Sequence, residues 1–114
     1  MHTVPTEAPR SHAQLAAALR TRVEQTGTLD AALRRDILMR AAGGPAVPEP
    51  YDALVNQIAE DSYRVTDAQV EAVLEASGYE KNAFEVILTA AIGAGLRRWD
   101  AAVNAIQDAR DAPA

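Results

Sequence analysis

The chain has no cysteine, one lysine, two histidines and only five aromatic residues among its 114 positions. Each scarcity removes a class of chemistry. Without thiols there is no disulfide, thiolate metal site, iron–sulfur cluster or thiol catalysis. The histidines, His2 and His12, both lie at the N-terminal edge, and no Glu-x-x-His pair occurs, so a metal site would rest on carboxylates alone. His12 reads as a surface residue in a first helical turn. Few aromatic residues and no sustained period-two alternation argue against a sheet. Long apolar runs are missing too. Val86 to Leu96 is about half the length a membrane span requires, and with glycines inside it and Arg97-Arg98 after it, it suits a buried helix. The first ten residues lack the apolar centre of a signal peptide, which makes the cytoplasm the expected location. Gly93-Ala94-Gly95 follows no strand, so it is not a dinucleotide fingerprint. No cofactor and no metal are implied.

What is present is alanine, at 25 positions, a composition suited to closely packed helices. The net charge is −5 and unevenly spread. Residues 11–42 carry five arginines against Glu24, Asp30 and Asp36, whereas residues 43–79 carry seven acids against Arg64 alone. An acidic chain lacks the cationic footprint that nucleic acid demands, and the charged faces read as ordinary solvated surface.

The local signals predict an all-α chain of five or six helices with one long C-terminal helix. Residues 1–10 read as a flexible tail, with Pro5 and Pro9 opposing regular helix, and residues 11–110 as one helical domain. Ser11 with Gln14 forms a capping box, followed by an apolar stripe of Leu15, Leu19 and Val23 that ends at Gly27. Thr28 or Asp30 opens a second helix through Leu29, Leu33, Ile37 and Ala41, stopped by Gly43-Gly44-Pro45. After a linker from Gly43 to Pro50, a third helix begins near Glu49-Pro50 and ends near Ser62. Thr66 with Gln69 caps a fourth, ended by Ser77-Gly78. The fifth begins near Asn82 and presents Phe84, Ile87, Leu88, Ala91, Gly95, Trp99, Val103 (or Ala102) and Ile106 on one face. Gly93 and Gly95 are positions where it would bend, and the small residues Ala90, Ala91, Ala94 and Gly95 permit close helix approach. So long an apolar helix exceeds what a chain this size covers by itself, which predicts oligomerisation.

Among the acids, Glu60-Asp61 and the Glu71/Glu75 pair read as solvated surface. Glu85 sits on the apolar helix between Phe84 and Val86, where Arg97 or Arg98 is the expected partner, within or between chains.

The segment Gly78-Tyr79-Glu80-Lys81-Asn82-Ala83-Phe84-Glu85-Val86, followed by Thr89 to Gly95 and Arg97-Arg98, resembles the carboxymuconolactone decarboxylase/alkylhydroperoxidase AhpD-like superfamily. The similarity covers residues 65–106 and fades upstream; Tyr63 to Val70 resembles the Val-Thr-Asp turn of small cysteine-free members. The resemblance implies an AhpD-like helical bundle that assembles through its helices into trimers, hexamers or similar rings. It also implies a Cys-x-x-Cys pair near Tyr63 and Thr66, a histidine near Val70 and a relay glutamate near Tyr51. Neither the cysteines nor the histidine stand there, Glu49 and Asp52 flank Tyr51 without an acid at the aligned position, and the central histidine of the decarboxylase branch is missing as well. The fold carries over and the thiol chemistry does not.

The reading that follows is a non-catalytic helical protein acting through oligomerisation or by pairing with a paralogous or other protein subunit. Neither nucleic acid nor membrane is an expected partner. The alternative is a small-molecule binder or decarboxylase-like enzyme that uses carboxylates, Tyr63 and arginines in an inter-subunit pocket. A third reading is a regulatory partner that docks through residues 1–10. The candidate pocket or interface residues are Tyr63, Arg64, Thr66, Asp67, Glu85, Gly95, Arg97, Arg98 and Trp99.

Overall fold

Side-chain caps set most of the helix starts. Ser11 Oγ accepts from the Gln14 amide at 3.1 Å while Gln14 Oε1 accepts from the Ser11 amide at 2.8 Å, a reciprocal box that opens α1, His12–Gln25. Asp30 caps α2, Ala31–Ala41, through the Leu33 amide. Thr66 and Gln69 form the second box, at 3.2 and 3.0 Å, and open α4, Asp67–Ser77. Between them α3 spans Tyr51–Asp61 and runs into a 3₁₀ turn, Ser62–Arg64. Gly78 ends α4 in the left-handed conformation, φ 92°, which a side chain would resist. The helix α5, Glu80–Asp111, completes an order that, among the described residues, is all-helical with five α-helices. The computed structural model describes residues 11–113; the tail expected over residues 1–10 lies outside the described residues. Thr66→Ala removes one half of the α4 box and is expected to lower stability by about 1 kcal/mol in urea denaturation; an unchanged midpoint would contradict that role.

The linker from Gly43 to Pro50 is held by one carboxylate. Asp52 Oδ1 accepts from Arg40 Nε at 2.8 Å and from the Val47 amide at 3.0 Å. The Arg40 hydrogen bond holds the Asp52 carboxyl below its ordinary range, against a weaker upward push from burial.

The core lies among α2, α3, α4 and α5, where Ile37, Leu54, Val55, Val73 and Val86 are fully buried. The buried face of α5 is Ala83, Val86, Ala90, Gly93 and Ala94, with Thr89 and Leu96. Gly93 is the contact point with α2. A methyl group built there would lie 2.5 Å from the Leu38 carbonyl oxygen and 2.9 Å from Ala41 Cβ, so only glycine allows the two backbones this close.

The apolar stripe of α1 stays outside the core: α1 has no buried residue, and Leu15 is 50% exposed. The stripe of Phe84, Leu88, Ala91, Gly95 and Ile106 is likewise the outward face of α5. The reason is steric. The small-residue face lets α2 settle close, and the large side chains on the opposite side are left outside the chain's own core. The helix is also unbroken through both Gly93 and Gly95, and it begins at Glu80, earlier than the Asn82 start expected from sequence.

Candidate binding surface

One corner of the fold is polar and fully explained by structure. The loop joining α1 to α2 contains Gly27, φ 141°, and presents its amides to Glu85. The carboxylate accepts from Thr28 N at 2.8 Å, Leu29 N at 2.7 Å and Thr28 Oγ1 at 3.1 Å. Arg34, 4% exposed, donates to the carbonyl oxygens of Leu29, Val23 and Glu24 at 2.6, 2.7 and 3.0 Å. The last two belong to the final turns of α1, whose carbonyls lack helical partners. Burial alone would raise the Glu85 carboxyl, yet the Thr28 and Leu29 amides, the Thr28 hydroxyl and the Arg34 charge outweigh it and leave it lowered. Glu85 is a loop anchor.

The expected pairing of Glu85 with Arg97 or Arg98 is therefore not made within the chain. Arg97 lies 3.6 Å from Glu60 Oε1 on an exposed edge, and Arg98 donates to the Ala59 carbonyl at 2.9 Å. Helical geometry accounts for the difference, because twelve residues on α5 rise about 18 Å and no side chain bridges that.

The other candidates also separate. Tyr63 is exposed in the 3₁₀ turn, with the Arg64 guanidinium 5.6 Å from its ring centre. Thr66 is occupied as the α4 cap, and Asp67 sits exposed in the first turn, where an acid suits the helix dipole. Arg97 and Arg98 border one small pocket beside Glu60, and Gly95 and Trp99 come together elsewhere. They line an open groove of about 440 Å³ between α1 and α5, whose other walls include Leu15, Leu19, Ile92 and Leu96. His12 closes one end, edge-on to the Trp99 ring at 5.7 Å. The His12–Trp99 contact and the α1 side of this groove are invisible to sequence reasoning, since they depend on where α1 lies across α5.

Apart from the His12 and Trp99 rings, the groove offers carbon to whatever enters it. It has no carboxylate, arginine or hydroxyl in its walls; the His12 imidazole and the Trp99 indole N–H are the polar side-chain groups that line it. Among the described residues there is no cluster of three or more histidine, aspartate or glutamate side chains able to hold a metal, and no helix is long and apolar enough to cross a membrane.

The groove continues into a longer apolar face. Phe84 is 61% exposed, Leu88 46% and Ile106 55%, all on the outward side of α5. At the other end of this face a second groove, about 550 Å³, lies between α4 and α5 beside Val70, Leu74, Phe84 and Ile87. Residues 101–111 of α5 are exposed on every side. This projecting helix agrees with a radius of gyration of 17.3 Å, against about 13 Å for a compact domain of this length. Comparison with known proteins returns no match to this chain, whether to a family model, a curated protein or a solved structure.

Proposed function

We propose that this chain is a non-catalytic helical assembly protein, AhpD-like in its bundle, which works by covering the outward face of α5 with another protein subunit. The observation that carries the reading is the uninterrupted apolar face from Phe84 to Ile106, about 33 Å of helix at 1.5 Å per residue. A face that long, with a projecting end, is the kind of exposed apolar surface that marks a site of association. An isolated helical extension is marginal in water, so a partner also stabilises the last turns of α5. The fold half of the proposal rests on the resemblance read in residues 65–106, and the all-helical order with its long C-terminal helix is compatible with it. The absence of cysteine and the carbon lining of the groove support the non-catalytic half. The groove volume lies within the range of small-molecule sites, but its polar side-chain groups are the His12 ring and the Trp99 indole N–H alone.

Light scattering on the purified chain is expected to give at least twice the 12.2 kDa chain mass, falling to the single-chain value in Ile106→Asp. A wild-type chain that stays monomeric at every concentration contradicts self-association. In the same preparation, organic hydroperoxide with a dithiol donor should turn over no faster than in buffer; robust turnover would overturn the non-catalytic reading.

A further inference from the structure

We infer that the subunit covering α5 is a second copy of this chain, laid antiparallel across the first with the two-fold axis at Gly95; this deepens the assembly reading and rests on it. The outward residues of α5 recur at intervals of eleven: Phe84, Gly95 and Ile106; Leu88 and Trp99; Ala91 and Ala102. Eleven residues are close to three helical turns, so the stripe drifts slowly around the helix and two such helices pack along their length with a gentle right-handed supercoil.

Antiparallel pairing about Gly95 matches large with small at successive layers. Phe84 of one copy faces Ile106 of the other, Leu88 faces Ala102, and Ala91 faces Trp99. At the ends, Glu80 faces Arg110, opposite in charge. A parallel pair puts Trp99 on Trp99 and Arg110 on Arg110, crowding the layers and setting like charges together. The arrangement also seats Ile106 of each copy over the groove beside Val70, Leu74 and Phe84 of the other.

Gly95 supplies the independent observation. A methyl group built at Gly95 meets no atom within 4 Å, so the chain's own packing gives no reason for a glycine in the middle of a helix, where it weakens the helix by about 1 kcal/mol relative to alanine. At a two-fold crossing the reason is supplied by the other copy, since glycine opposite glycine brings the axes close.

The chain's lack of cysteine makes the test direct. Leu88→Cys and Ala102→Cys change side chains that are exposed in the single chain, and circular dichroism should show unchanged helicity. Each variant is treated with a short bis-maleimide alone, and then after the two are unfolded and refolded together. The expected result is a covalent dimer in the mixture and none in either variant alone, because like positions lie about 21 Å apart along antiparallel helices. Linkage of each variant to itself indicates a parallel pair and overturns the antiparallel assembly while the assembly function stands. No linkage in a sample that sedimentation shows to be dimeric places the interface elsewhere and does the same. A monomer by sedimentation overturns this inference and the self-association beneath it.

Discussion

Glu85→Ala is expected to lower the unfolding free energy by about 2–3 kcal/mol, through a loop rather than a core. The carboxylate satisfies the backbone amides of Thr28 and Leu29 and the Thr28 hydroxyl. Removing it strands those donors and takes a negative charge away from Arg34, which is buried in the same corner. Charge-assisted hydrogen bonds contribute about 1.5–3 kcal/mol each, but Thr28 is exposed and water recovers part of the loss, which sets the figure well below the simple sum. Urea denaturation at one fixed protein concentration measures it, the concentration being held because association itself stabilises the folded state. A loss below about 0.5 kcal/mol, the range of an ordinary surface substitution, would show that Glu85 does not hold the loop.

The same anchor gives the chain an acid dependence with a definite sign. The Glu85 carboxyl is lowered in the folded state, so the unfolded chain binds its proton more readily. Its contribution is complete above the ordinary glutamate value of about 4.3 and disappears as pH falls through the lower folded-state value. Asp52, lowered by its Arg40 bond, acts in the same direction. The alanine variant should therefore lose less stability on acidification than the wild type, since it has already given up one of the two groups.

Gly93→Ala is expected to destabilise the fold by about 2 kcal/mol, the usual range for overpacking. Gly95→Ala should stabilise the single chain by about 0.5–1 kcal/mol. The contrast arises from what surrounds each position. At Gly93 the added methyl runs into the Leu38 carbonyl, which is helix backbone and cannot swing aside. At Gly95 it enters open space, so only the gain in helix propensity remains. Both are measured by denaturation at a concentration where the chain is monomeric; at higher concentration Gly95→Ala should weaken association, because the methyl then lies in the crossing. A Gly93→Ala protein as stable as wild type would show that α2 does not press on α5 there.

The parts of this fold that were legible in the sequence are local ones. Ser11 with Gln14 and Thr66 with Gln69 announce helix starts because cap and partner stand three residues apart. Gly43 and Gly78 announce ends because the backbone there needs positive φ. The face of α5 was not legible in that way. Hydropathy ranks Phe84, Leu88 and Ile106 above Ala83, Ala90 and Ala94, so periodicity groups the large residues on one face without telling which side the core takes; close approach by α2 at Gly93 decides that. Glu85 was legible as unusual but not as an anchor, since its acceptors' partners are main-chain amides more than fifty residues away and amides carry no residue-type signature. Arg34 was missed altogether: a buried arginine whose partners are all carbonyl oxygens looks, in one dimension, like any other charge on a helix.

The attachment of α1 has a mechanical consequence. Its C-terminal end is tied through Arg34, its middle touches α5 by the exposed Arg20–Asp100 pair at 3.3 Å, and none of its residues is buried. Such an element can detach while α2 to α5 stay closed, because little apolar area is exposed by the motion. Lifting it about the Gly27 corner would widen the strip of α5 open to a docking subunit without unfolding anything that the core depends on.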